Sequence, residues 1–407
     1  MIKREPLTLE PHGGRKRRTS MQDYLSPLVR AIPPSGIRRF FDLVAGSKDV
    51  ISLGVGEPDF VTPWHVREAC VYSLEQGRTS YTPNSGIPEL REAIAEYLYS
   101  RFNLKYEPTN QIIVTVGGSE GIDLALRALI EPGDEVLVPE PSYISYAPIA
   151  AITGGKPVGV ETYAKDRFKL TAESLAKHIT PRSKVLILCY PNNPTGAIMT
   201  YDDLLPIARL VEEHDLLVIS DEIYAELTYE GQHVSFASLP GMKDRTLLVS
   251  GFSKAFAMTG WRMGYLCGHP ELIAAMLKIH QYTVMCAPVM GQVAALEALR
   301  NGMEEMAAMV ESYNRRRRLV VKGFRDIGLS CHEPYGTFYA FPSIESTGLT
   351  SEEFATRLLA EQKVAAVPGN VFGLGGEGFV RCSYATSVSL LTEALERIDR
   401  FVRSLNR

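Results

Sequence analysis

The chain has 407 residues, 45% of them hydrophobic and 22% charged, with a formal net charge of −4. That length suffices for a large core and more than one domain. The mild acidity leaves no global basic field to draw nucleic acid, and no apolar run approaches the ~20 residues a membrane span needs. Cys70, Cys189, Cys267, Cys286, Cys331 and Cys382 form no C-x-x-C pair. Neither a disulfide framework nor a zinc site is expected from them. Buried free thiols in a reducing cytoplasm are the expectation.

Residues 1–24 hold a basic cluster, Arg15–Arg18, a Gly-Gly pair and no apolar h-region. The segment is expected to be a disordered arm and not a secretory signal. Residues 25–63 are expected to join the C-terminal part, because chain ends often come together. Ile112–Val116 is a predicted strand followed at once by Gly117–Gly118. Glu120–Ile130 then shows apolar residues at helical spacing and stops at Pro132–Gly133. Val136–Val138, Val185–Leu188, Leu216–Ile219 and Thr246–Val249 are further strands. Continuous apolar strands separated by helices imply an α/β chain with a mostly parallel sheet covered on both faces. From about Asn301 the character changes. Glu304–Gly323 reads as a long charged helix, followed by strands near Thr337–Phe341 and Phe379–Ser383. This predicts a large domain over 64–300 and a smaller α+β domain over 301–407.

In open α/β sheets ligands bind beyond the carboxyl ends of the strands. Four predicted strands end in polar or glycine-rich residues that a core does not need: "GGSEG", "CYPNNPTG", "SDEIY" and "SGFSKAFAMTGWRMGY". Gly117, Gly118 and Ser119 precede a helix, where free N–H groups and the helix dipole suit an anion. Arg262 offers a planar fork for the same anion. Asp221 ends a buried strand and needs a partner: a helix N-cap or a cationic ligand nitrogen. Tyr224, three positions on, is expected on the same side. Lys254 follows an interior strand among small residues, and a desolvated lysine near other cations can form a Schiff base. A reactive lysine, an acid for a pyridinium nitrogen and a phosphate cradle are the parts of a pyridoxal phosphate site.

Two other motifs read as structure. "GLGGEG" from Gly373 contains G-x-G-x-x-G but opens no predicted helix, so it reads as a glycine-rich loop. The run Arg315–Arg318 lies in a helical pattern whose side chains point all ways around, which suits a solvated or interface helix. The eight histidines form no H-E-x-x-H.

The motifs "GEPDF", "SYTPNSGIPELREAI", "YPNNPTG", "SDEIY", "SGFSKAFAMTGWRMGY" and "VRCSYAT" resemble, in order, those of the class I aminotransferases of pyridoxal phosphate (PLP) fold type I. The resemblance runs from about Leu25 to Phe401. It is most similar to the subgroup of aromatic, aspartate and N-acyl-diaminopimelate aminotransferases, and "KIHQYTVMCAP" and "PSIESTGLTS" look like the members called aminotransferase A. It implies a seven-stranded, mostly parallel sheet in a large PLP-binding domain, with a smaller α+β domain beside it.

The resemblance also implies roles. Lys254 would hold PLP covalently and later carry a proton. Asp221 would keep the pyridine nitrogen protonated. Asn193 and Tyr224 would bond the phenolate oxygen, and Tyr143 would stack on the ring. Gly118, Ser119, Arg262 and one or both of Ser250 and Ser253 would hold the phosphate. Arg381 would grip the substrate α-carboxylate with help from the Gly56 backbone. Tyr81 would reach the phosphate of a neighbouring subunit, implying a homodimer. A segment around Ile37 would close over apolar substrates. The strand pattern alone makes Arg381 solvent-facing, so its role and that of Tyr143 rest on the resemblance.

The implied reaction passes the amino group of an L-amino acid to a 2-oxo acid, with 2-oxoglutarate expected, in a cytoplasmic enzyme with no metal. Aspartate-specific relatives place a lysine where this chain has Ser119, so an aromatic or N-acyl-diaminopimelate donor is expected. An aspartate or alanine aminotransferase, a C–S β-lyase of the same fold and a non-catalytic PLP-binding regulator are the alternatives.

Overall fold

A computed structural model describes residues 20–34, 36 and 49–405. Ile37 and most of the basic arm lie outside the described residues. No described helix is long and apolar enough to cross a membrane.

Seven strands form the main sheet: β2 (Ile112–Thr115), β3 (Glu135–Glu140), β4 (Lys156–Glu161), β5 (Ser183–Cys189), β6 (Leu217–Asp221), β7 (Thr246–Gly251) and β8 (Gly264–Cys267). Their spatial order is β2-β8-β7-β6-β5-β3-β4. Strands β4, β3, β5, β6 and β7 are parallel, while β8 is antiparallel to both β7 and β2. Two antiparallel steps leave β2 running with β7. The carboxyl ends of β2, β3, β5, β6 and β7 therefore open on one edge.

Both faces of the sheet are buried, as the continuous apolar runs predict. Alternate residues feed opposite layers. Val136, Val138, Ile187, Ile219 and Val249 pack toward the helices Gly117–Leu129, Tyr146–Ile152 and Pro270–Thr283. Leu137, Leu186, Leu188 and Val218 pack toward the helix Tyr201–Glu213. Strands β4 and β8 go beyond the strands expected from the sequence. The first is only half-buried at the sheet edge, and the second lies within the glycine-rich stretch after Lys254.

A second, three-stranded antiparallel sheet has the order β11-β12-β9, from β9 (Tyr339–Ala340), β11 (Val367–Pro368) and β12 (Val380–Ser383). The N-terminal β1 (Ile51–Ser52) pairs in parallel with β10 (Val364–Ala365). The Ser383 N–H donates to the Leu53 carbonyl at 2.7 Å. These bonds bring the residues just after β1 beside β12.

The arginine run departs from expectation. Arg315 and Arg318 are exposed on the helix Met303–Ile327, but Arg316 and Arg317 are buried. Arg316 pairs with Asp59 at 2.8 Å, and Arg317, 2% exposed, meets both Glu230 and Glu333 at 2.9 Å. Burial of two guanidiniums is tolerated because each finds carboxylate partners. The cysteines are all free; four are buried, while Cys70 and Cys286 are half-buried.

One close approach positions the site. A methyl built on Gly264 would lie 2.5 Å from the Gly117 carbonyl carbon and 2.6 Å from the Gly118 nitrogen. These are backbone atoms, which cannot swing aside as the end of a side chain would. Gly264→Ala is expected to cost about 1–3 kcal/mol of stability, read as a fall in Tm by thermal denaturation.

Candidate active site

The five strand ends surround one cavity of about 400 Å³. At the end of β2, Gly117 turns the chain with φ +76° and opens the helix Gly117–Leu129. The N–H groups of a first helical turn have no intrahelical partner, and the helix dipole adds positive potential there. Gly118 and Ser119 line the cavity at this turn. The turn is braced by Glu120, whose carboxylate accepts the Val116 N–H at 2.5 Å and lies 2.8 Å from His280 Nδ1.

Arg262 sits just before β8 in the left-handed region (φ 54°), and its Nη1 donates to the Thr259 carbonyl at 3.0 Å. A methyl on Gly117 would come within 2.6 Å of Arg262 Nη2. The absent side chain at Gly117 is what lets the guanidinium lie on the anion turn. Of the two serines, Ser253 lines the cavity. Ser250 does not; its hydroxyl donates to the Glu222 carbonyl at 3.2 Å.

Asp221 ends β6 and is buried. It accepts the Tyr146 hydroxyl at 2.7 Å and the Ile223 N–H at 3.2 Å. The second bond is a local turn, so Asp221 does not cap a helix. Burial pushes its carboxyl up to about 6, against the two hydrogen bonds that favour the charged form. The apolar pattern does not mark the partner Tyr146, although "SYISY" spaces Tyr143 and Tyr146 by three. Tyr143 lines the cavity and meets the Tyr146 ring edge-on at 5.5 Å. Cys189, beside them, is pushed up to about 12 by burial and is no nucleophile.

Lys254 lies after β7 and donates from Nζ to the Gly56 carbonyl at 2.6 Å. Among the described residues, neither Lys254 nor Arg262 has an acidic partner in an ion pair. Desolvation first, then the Arg381 guanidinium, push the Lys254 amine down to about 8. Glu57 and Asp221 oppose this, and the Arg262 guanidinium adds to it.

Arg381, 3% exposed, corrects the solvent-facing expectation. Its strand β12 belongs to the three-stranded sheet and turns this side chain inward. Nη1 donates to Asn193 Oδ1 at 2.9 Å and Nη2 to the Gly54 carbonyl at 2.8 Å. Nε is buried with no hydrogen-bond partner. The Tyr339 ring, missed in the sequence, lies 4.4 Å from the guanidinium carbon, and its hydroxyl meets that of Tyr224 at 3.0 Å. The one cavity thus gathers Gly56, Tyr143, Asn193, Tyr224 and Arg381 with Lys254 and Asp221. Tyr81 is 81% exposed and lies outside the lining of its own chain's cavity.

Residues 48–398 match the model of the aminotransferase class I and II family. A Bacillus subtilis protein provisionally named aminotransferase YugH is 56% identical, over 94% of this chain and 99% of its own. The aspartate aminotransferase of Pyrococcus abyssi is 46% identical, over 93% and 98%. The crystal structure of the aromatic aminotransferase from Pyrococcus horikoshii OT3 superposes with a TM-score of 0.86 at 45% identity, covering 90% of this chain and 99% of that one. The chain belongs to the class I and II aminotransferases and is a transaminase.

The lowered Lys254 pKa is directly testable in the cofactor-free protein. An amine-acylating reagent followed by peptide mass spectrometry should label Lys254 with a midpoint near pH 8, ahead of ordinary lysines near 10.5. Removing a neighbouring cation raises a lysine pKa, so Arg381→Met should move the midpoint upward. Asp221→Asn, which removes an anion, should move it down.

Proposed function

We propose that this transaminase binds pyridoxal 5′-phosphate in the cavity and takes its amino group from an aromatic or N-acyl-diaminopimelate L-amino acid. The acceptor is a 2-oxo acid, 2-oxoglutarate, and transfer runs in two half-reactions. The observation that carries this reading is one cavity holding a deprotonatable lysine, a buried acid and an anion turn with an arginine on it.

The donor set fits the group at each end. A phosphate needs backbone N–H groups and a fork, which Gly118, Ser119, Ser253 and Arg262 supply. A pyridinium nitrogen needs a buried carboxylate, and Asp221 has few other partners. A phenolate needs donors, which Asn193 and Tyr224 offer. When bound, PLP supplies an electron sink that stabilises charge on the substrate Cα. Lys254 is the group that loses and regains a proton at Nζ, and a pKa near 8 suits both directions around neutral pH. Tyr146 orients the Asp221 carboxylate. Tyr143 walls the ring face. Arg381 binds the α-carboxylate common to donor and acceptor, and its unpartnered Nε marks unspent donor capacity.

The donor class follows from the remaining charges. Lys254, Arg262 and Arg381 are the cations that line the cavity among the described residues. Each has a task in this scheme, and none is left for a donor side-chain carboxylate. Ser119 stands where a lysine would serve that purpose.

The reading includes a cytoplasmic homodimer. Tyr81 and Tyr282 are 81% and 87% exposed, and Asn84 ties their segments together by donating to the Met285 carbonyl at 2.8 Å. An exposed aromatic pair on linked segments supports Tyr81 serving the neighbour's phosphate.

A donor panel tests the substrate class. Phenylalanine, tyrosine or N-acetyl-diaminopimelate should shift the cofactor's visible absorbance and show a higher kcat/KM than aspartate, with 2-oxoglutarate restoring the spectrum. A preference for aspartate would overturn the donor assignment. Lys254→Ala should lower the rate by at least about 10²-fold, the usual reach of a positioned acid–base. Arg262→Ala should instead weaken cofactor affinity by roughly 10- to 100-fold, the worth of a charged hydrogen bond, measured by equilibrium dialysis.

A further inference from the structure

The loop "GLGGEG" binds no ligand in the scheme above, yet its geometry is specific. It folds around a carboxylate of this same chain. Glu140, the last residue of β3, accepts the Leu374 N–H on Oε2 at 2.8 Å. Gly373 has φ +101°, a conformation other residues rarely adopt, and a methyl there would collide with the Glu140 carboxyl carbon. A methyl on Gly159 of β4 would lie 2.9 Å from the same Oε2. Two glycines from separate segments thus clear a seat for one carboxylate.

The contact joins two parts of the site. Glu140 begins the segment that reaches Tyr143, and the Ser142 N–H donates to the Phe372 carbonyl at 3.0 Å. Segments 140–142 and 372–374 are therefore tied twice, on either side of Gly373. Phe372 is buried, and its ring centroid lies 4.9 Å from the Arg381 guanidinium carbon. Arg381 is also held at its two terminal nitrogens by Asn193 and the Gly54 carbonyl, and by the Tyr339 ring 4.4 Å from its guanidinium carbon. Phe372 walls the group from the loop.

From this we infer that Glu140 is a positioning residue. Its bond to the Leu374 N–H fixes the Phe372–Leu374 loop against the end of β3, and through Phe372 it holds the Arg381 guanidinium at the right place relative to Tyr143. The inference rests on the reading of Arg381 as the substrate-carboxylate fork. Glu140 is not among the residues that line the cavity. Its effect falls on carboxylate binding, where misplacement of the fork by ~1 Å costs up to about 100-fold.

The test is kinetic, on the holoenzyme. Glu140→Ala should raise KM for the amino donor and for the 2-oxo acid by about tenfold each, because both present the same carboxylate to Arg381. Cofactor affinity, measured by dialysis, should stay within twofold. Glu140→Gln keeps an acceptor for the Leu374 N–H and should restore KM to within about threefold of the parent. A merely structural residue would lower Tm and cofactor affinity without this split. If Glu140→Ala does not fold, Glu140→Asp withdraws the carboxylate by one methylene and should raise KM in the same way. An unchanged KM in the folded variant, or a loss of cofactor affinity equal to the rise in KM, overturns the inference. Absence of turnover in the parent protein sinks the functional reading and this one with it. Turnover in the parent with unaltered KM in the variant sinks this one alone.

Discussion

The site depends on keeping one ammonium group out of water and among like charges. Lys254 has no carboxylate in contact; its amine meets a backbone carbonyl and lies near two guanidiniums. Desolvation and cationic neighbours both favour the neutral amine, which is the nucleophilic and basic form. A paired lysine would be a stable ammonium and chemically inert. The chemical requirement is thus that no acid contacts Lys254: Glu57 and Asp221 line the cavity without pairing with it, and Asp221 is placed one strand away.

That separation is a product of the sheet. Adjacent parallel strands end side by side, so β6 delivers Asp221 and β7 delivers Lys254 to the same edge without bringing them into contact. The loop after β7 keeps Arg262 at that edge, just before antiparallel β8 leaves it, and there Arg262 meets the turn after β2. Its passage demands glycine at 264 and 117, since backbone and guanidinium occupy the space a side chain would take. The conformation of this region is set by what must approach it closely.

Much of this was legible because strand ends in α/β sheets are predictable and polar residues stand out after apolar runs. Lys254, Asp221, the Gly117–Ser119 turn and Arg262 could be read in that way. Arg381 could not. A two-residue alternation in "FVRCSY" marks faces but does not say which face is covered, and here both are: all four residues of β12 are buried, with Arg381 held by Asn193 and the Gly54 carbonyl. Tyr146 and Tyr339 escaped for a related reason. A tyrosine in an apolar pattern reads as packing until its hydroxyl is seen against Asp221 or Tyr224. The arginine run misled in the opposite direction, since helical periodicity said nothing of Asp59, Glu230 or Glu333, which reach Arg316 and Arg317 from distant parts of the chain.

Five of the seven strands of the main sheet, their burial and the residues at their ends were legible in the sequence itself, through local hydrophobic runs and the residues that interrupt them. The family could be recognised in the same way, from motifs in fixed order. The tertiary structure alone decided which groups meet: that Ser253 and not Ser250 faces the cavity, that Arg381 points inward, and that a glycine-rich loop near the C-terminus receives Glu140 from β3. The physical reason is range. Periodicity and turn chemistry act over a few residues, whereas desolvation, ion pairing and steric clearance depend on segments that are hundreds of residues apart in the chain and become neighbours only when the sheets close.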